Sequence, residues 1–270
     1  MITRAGKYAS TLLLNPDKSV STFSYSEKYR EGNVRMNCEQ KGSAAVAWLK
    51  GTKHRFYEDR YRILSYDIPL IEKQRHGEIF AVFDGIGSAP RGMNSAQSAC
   101  DQLLRFFRVT ENFLPTAKGL EKLLQEINMT INGWGTMPGT DKPLGGCAGT
   151  VAWIHLNQLT VFHAGDTAAL IIRDGEVRKL TSDHESNGAI YRYLGLGRNL
   201  VLEVATQAIT EGDLLLLVSD GVTKAYHATE AAQFIADIYS ETGEIAAAAQ
   251  ELAAQSRIKG SSDDITVLLI

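Results

Sequence analysis

The residues of this chain best suited to chemistry are acids at the ends of apolar strands. Asp84 follows Ile79-Phe80-Ala81-Val82-Phe83, and Asp220 follows Leu214-Leu215-Leu216-Leu217-Val218-Ser219. Asp263 and Asp264 precede Ile265-Thr266-Val267-Leu268-Leu269, and Glu58 and Asp59 stand just before a strand at Tyr61. Carboxylates in such places are expected to be partly buried, which is costly unless they are paired, hydrogen-bonded or bound to a cation. Taken singly, Asp84-Gly85 and Asp220-Gly221 also read as plain turns, and Asp263 as the cap of a bend. As a set they bring oxygen ligands from separate segments with almost no histidine, which suits magnesium or manganese and not zinc. His54, His76, His155, His163, His184 and His227 show neither HxxxH nor HExxH spacing. Two divalent ions about 4 Å apart, bridged by a carboxylate and a water, generate hydroxide at neutral pH and hold phosphoryl oxygens. That chemistry needs no serine or cysteine nucleophile. No GxSxG surrounds Ser219, and the glycine-rich stretch from Gly145 to Gly149 lacks the Lys-Ser/Thr of a P-loop.

The elements that must position these acids are readable from residue 43 onward. AAVAWL reads as a buried strand, residues 61–68 as a β-rich segment with partial alternation, and 78–85 as a strand running into an Asp-Gly turn. Residues 94–108 carry apolar positions at three- and four-residue steps and predict a helix, capped by Asn94 or Ser95. A second helix is expected over 118–132. A meander of short strands follows from Cys147 to Leu180, with turns at Asn157-Gln158, Asp166-Thr167 and Asp174-Gly175. A loop over 182–199 leads to two more strands. Helices opening at Thr229 and after Thr242 come next, and DDITVLLI forms a terminal strand. Residues 19–29 suggest an edge strand or an arm, and 33–42 a loop. The helices come in pairs without regular βαβ alternation. The expected fold is therefore α+β: a four-layer α-β-β-α sandwich of two mostly antiparallel sheets between helix pairs. Its first and last strands pair across a long separation. Residues 1–270 read as a single domain, with 1–43 the segment whose role is unassigned.

Composition narrows the class. The chain has 270 residues, with 28 basic against 31 acidic side chains and a net charge of −3. That balance argues against non-specific nucleic-acid binding, yet leaves room for an anionic substrate at a metal centre. Cys38, Cys100 and Cys147 form no CxxC pair and fit small core residues in a reducing compartment. Neither a signal peptide nor a membrane span is expected, so the reading is a cytoplasmic monomer.

The ordered set YEDRY (57–61), EIFAVFDGIGS (78–88), GGCAGTVAWI (145–154), LTVFHAGDTAALIIRDGEVRKLTSDH (159–184), GDLLLLVSDGV (212–222) and SSDDITVLLI (261–270) resembles the metal-dependent protein serine/threonine phosphatases of the 2C type, bacterial members especially. The resemblance covers about residue 44 to 270. It implies hydrolysis of phosphoserine and phosphothreonine on protein substrates by a hydroxide bridging two manganese or magnesium ions, without a phosphoenzyme. Under it Asp84 bridges the metals, the Gly85 carbonyl binds one, and Asp220 and Asp263 bind the other. Glu58 and Asp59 hold metal-bound waters. Asp166 helps hold a third, weaker ion, or else serves as a hairpin turn.

Three departures from the family pattern bear on turnover. The family's usual Asp-Gly-His-Gly is Asp84-Gly85-Ile86-Gly87 here, and isoleucine cannot protonate a leaving group. The phosphate-gripping arginine position holds His54, with Arg55 beside it as the candidate replacement; Arg55 otherwise reads as a surface residue. The closing Asp-Asn-x-Thr is Asp263-Asp264-Ile265-Thr266, so Asp264 either adds charge near the metals or takes over part of the ligation. The segment 188–199 reads as a cover over the site, with Arg192 and Arg198 able to meet a phosphopeptide. The rival reading is a catalytically weak or inactive phosphoprotein-binding module of the same fold.

Overall fold

The computed structural model describes residues 36–53 and 55–270; the expected arm at 19–29 and His54 lie outside them. Thirteen strands among these residues build two large sheets and one small hairpin. The first sheet contains β1 (Asn37–Lys41), β2 (Ala44–Leu49), β7 (Ala168–Arg173), β8 (Glu176–Lys179), β12 (Leu214–Val218) and β13 (Ile265–Leu269), in the order β1-β2-β13-β12-β7-β8. The second contains β3 (Arg60–Leu64), β4 (Glu78–Gly85), β5 (Cys147–His155), β6 (Gln158–Ala164) and β11 (Glu203–Ala208), in the order β11-β6-β5-β4-β3. Every neighbouring pair is antiparallel.

The continuous apolar runs have a physical reason: both faces of each sheet are covered, so alternate residues enter different cores. Phe80 and Val82 of β4 face the inter-sheet core with Val46, Trp48, Leu217 and Leu268. Ala81 and Phe83 face outward, against α2 (Gly92–Gln102), α3 (Arg105–Arg108) and α4 (Ala117–Asn132) through Ala99, Phe107 and Leu124. On the other side Leu216, Val218 and Val267 meet α5 (Asp220–Thr223), α6 (Ala228–Thr242) and α7 (Ile245–Ile258) through Val222, Ile235 and Leu252. The four-layer α-β-β-α sandwich predicted from sequence is what forms. β2 and β13 pair from Leu49↔Ile265 to Ala45↔Leu269, joining segments more than 200 residues apart.

Where the elements differ from the expectation, local chemistry explains why. The loop predicted over 33–42 contains β1, an edge strand whose polar sequence NCEQK lacks an apolar pattern. The helix predicted over 94–108 breaks into α2 and α3. Leu103 and Leu104 at the break keep right-handed helical dihedrals, so the apolar periodicity runs through it unmarked. A short helix, α1 (Pro69–Gln74), was not expected; Pro69 opens it and Arg75 closes it in the left-handed region. The loop expected up to residue 199 holds a hairpin, β9 (Glu185–Ser186) and β10 (Ala189–Ile190), turned by Asn187-Gly188, both at positive φ, so that the cover segment begins within it. Cys38, Cys100 and Cys147 are buried free thiols, as their spacing suggested.

Candidate metal centre

Each acid reaches the site because an apolar strand stops beside it. Asp84 and Gly85 are the last two residues of β4 and pair with Ala148 and Cys147 at the start of β5. Asp166 occupies the connection from β6 to β7. Asp220 opens α5 directly after β12, and Asp263-Asp264 lead into β13. Two glycines allow the close approach. A side chain at Gly221 would collide with the Asp264 carbonyl, and Gly165, at φ +123°, packs its backbone on Ala148. The result is a cavity of about 420 Å³ lined by Glu58, Asp84, Gly85, Asp166, Asp220, Asp263 and Asp264.

Asp84, Asp166 and Asp220 each place an oxygen within 4.8 Å of the others. Asp166 Oδ1 and Asp220 Oδ1 are buried without a hydrogen-bond partner, as is Asp59 Oδ1 just beneath. Orphaned buried oxygens of this kind call for a cation. Burial, followed by the neighbouring Asp59 charge, pushes the Asp84 carboxyl far above its ordinary range. Burial and Asp220 push Asp166 up to about 7, and burial with Asp264 pushes Asp59 up to about 8. An all-oxygen donor set that strains to ionise fits a hard divalent ion. Asp59 itself does not line the cavity: it is fully buried and accepts from the Thr266 hydroxyl at 2.6 Å. Tyr57 hydrogen-bonds that same hydroxyl, so the acid is held from behind.

The other predicted residues fall in several places. Glu58 and Asp263 line the cavity with the acids already described. Arg55 does not; its guanidinium lies over the exposed Phe56 ring, 5.1 Å from the centroid. Ile86 lines the cavity, and its N–H donates to the Gly146 carbonyl at 3.0 Å. Asp264 turns its oxygens toward the backbone. Oδ1 accepts from Gly51 N–H and Oδ2 from Glu58 N–H, each at 2.5 Å, tying the 51–58 loop to β13. The cover segment does border the cavity, through Gly188, Ala189, Ile190 and Tyr193. Arg192 instead contacts His184 Nε2 at 3.0 Å.

Two charged cavity residues had no role in the sequence reading: Lys53 and Lys224. Lys224 Nζ bonds Asp220 Oδ2 and lies 2.9 Å from Asp263 Oδ2, which Lys53 Nζ also reaches at 3.3 Å. Burial is the largest single influence on Asp263 and would raise its pKa, but the hydrogen bonds and charges of Lys224 and Lys53 together outweigh it and hold the carboxyl below its usual value. The available signal was the four-residue step from Asp220 to Lys224, which places both on one helical face.

A second group, His163, His184 and Glu203, also meets the distance condition for a metal. Its nitrogens are already engaged. His163 Nε2 faces the Gly165 and Ser182 carbonyls at 3.0 and 2.9 Å, and His163 Nδ1 faces the Thr150 hydroxyl at 2.9 Å. His184 Nδ1 accepts from Gly165 N–H at 3.1 Å. Burial holds His163 neutral, down to about 4. The two stacked rings, 4.8 Å between centroids, brace the turn that presents Asp166.

Comparison with known proteins agrees with this geometry. Residues 63–255 match the family described as protein phosphatase 2C. The serine/threonine phosphatase stp of Listeria welshimeri is 24% identical over 252 residues, covering 80% of this chain and 94% of that protein. Among solved structures, PppA, a regulatory component of T6SS in Pseudomonas aeruginosa, superposes with a TM-score of 0.68 at 22% identity. That match covers 84% of this chain and 95% of PppA. The catalytic domain of the serine threonine protein phosphatase PstP, solved with two manganese ions, gives 0.67 at 20% identity over 87% and 98% of the two chains. A family match spanning well over half the sequence, on a sandwich whose strand ends gather acids with unpartnered buried oxygens at Asp166 and Asp220, leads to one conclusion: the chain belongs to the protein phosphatase 2C family.

Proposed function

We propose that this chain, read as one phosphatase domain, hydrolyses phosphoserine and phosphothreonine monoesters on proteins with the help of bound manganese or magnesium. The observation that carries this reading is the convergence of Asp84, Asp166 and Asp220, with orphaned buried oxygens, on one open cavity. Asp84, the Gly85 carbonyl, Asp220 and Asp263 would hold two ions, with Asp166 adding a third, weaker one. Bound there, the ions supply Lewis-acid charge and a water acidified toward neutral pH. Glu58, which borders the cavity, would orient the surrounding waters, with Asp59 buried behind the centre rather than facing it. Ile86 has no proton to give, so solvent protonates the departing seryl or threonyl oxygen. Arg55, the expected phosphate-gripping residue, stacks outside the cavity whereas Lys53 borders it, which favours Lys53 for that contact. The likeness to named serine/threonine phosphatases supports the substrate class, and the buried free thiols fit a reducing, cytoplasmic setting.

The test is phosphate release from a phosphothreonine peptide, with and without Mn²⁺. The reading expects release that requires the metal and stops on chelation. A peptide that binds but is not turned over at any Mn²⁺ concentration would replace it with the binding-module alternative.

A further inference from the structure

Asp220 and Asp263 come from the ends of two adjacent strands, β12 and β13, and a lysine ammonium stands between them. Lys224 Nζ bonds Asp220 Oδ2 and Asp263 Oδ2 together, while Asp220 Oδ1 stays buried and unpartnered beside Asp84 and Asp166. The two carboxylates are 13% and 17% exposed, but the Lys224 side chain is 47% exposed. The acids are therefore fixed and partly desolvated, and the cation between them sits on a flexible four-carbon stem open to solvent.

We propose that Lys224 is a built-in competitor for one divalent ion of the centre. Its ammonium fills the space between Asp220 and Asp263, so an ion shared by those two carboxylates binds only when the lysine swings into solvent. An ion held by Asp84 and the Gly85 carbonyl, which Lys224 does not bond, displaces nothing. The chain thus binds its ions in unequal classes and becomes fully loaded only at higher metal concentration. The proposal rests on the metal-centre reading above and specifies how that centre fills.

The magnitudes make the effect measurable. Fully exposed ion pairs contribute little, but close pairs with desolvated partners couple measurably. Removing the ammonium should tighten the weak class about tenfold or more. The experiment is a Mn²⁺ titration followed by calorimetry and by the paramagnetic resonance of free Mn²⁺. It compares the parent with Lys224→Met, Lys224→Gln, the charge-keeping Lys224→Arg, and Lys118→Met outside the cavity. The expected result is a tight and a weak class in the parent. The weak class should tighten in both neutral Lys224 variants and stay weak in Lys224→Arg and Lys118→Met. Identical isotherms in the parent and the neutral variants would overturn the lysine proposal and leave the metal centre standing. Equal tightening in Lys118→Met would also overturn it, as a general charge effect. No Mn²⁺ binding in any of these proteins would overturn both.

Discussion

At the residue scale, Asp264 shows how one atom's surroundings decide a role that sequence leaves open. It takes the place where the family pattern has asparagine, and it could have joined the metal ligands. Both its oxygens instead receive backbone N–H groups, from Gly51 and Glu58. An amide offers only one acceptor, so Asp264→Asn would set an NH₂ group against one of those donors. The variant should lose about 1–3 kcal/mol of stability in denaturant unfolding. A variant as stable as the parent would show that the two bonds are not what holds the 51–58 loop. Asp264 and Lys224 illustrate the same limit on reading the sequence. Their types and positions were visible, but not every group facing them: Gly51 and Glu58 reach Asp264, and Asp263 reaches Lys224, from segments far away in the chain.

At the element scale, most of the fold was legible because apolar strands covered on both faces write long uninterrupted runs. LLLLV and ITVLL identify β12 and β13 with no ambiguity of neighbour type. The acids at their ends were legible for the same reason, as polar residues abruptly ending an apolar run. What stayed hidden lacked such contrast: the polar edge strand β1, the six-residue α1, and a hairpin of two-residue strands signalled only by Asn187-Gly188. That hairpin borders the cavity and is anchored through His184, which accepts from Gly165 N–H and contacts Arg192. Arg192→Ala should therefore loosen the cover at a cost under about 1.5 kcal/mol of stability. KM should rise for a phosphopeptide and stay nearly constant for a small aryl phosphate. Equal changes for both substrates would mean that the hairpin does not select the larger one.

At the scale of the whole molecule, the acid cluster should make stability depend on pH and metal together. Asp59 and Asp166, held up to about 8 and about 7, and Asp84, also raised, stabilise the metal-free fold while protonated; that contribution is lost as pH rises through those values. His163, held down to about 4, acts oppositely, and its contribution is lost as pH falls from 6.5 toward 4. Above pH 6.5 only the carboxylates of this set change charge. The metal-free melting temperature should fall by several degrees between pH 6.5 and 8, at about 2–4 °C per kcal/mol for a chain of this size. Saturating Mn²⁺ should reverse the fall by binding the ionised carboxylates. A flat profile, unaffected by Mn²⁺, would mean that these acids do not share an uncompensated site. The central claim is that Asp84 organises a metal centre that hydrolyses phosphate esters. Its most direct test is para-nitrophenyl phosphate hydrolysis, with and without Mn²⁺, by the parent and by Asp84→Asn with its fold verified. The account predicts metal-dependent turnover that drops at least about a hundredfold in the variant. Turnover that needs no metal, or that survives Asp84→Asn undiminished, would contradict it.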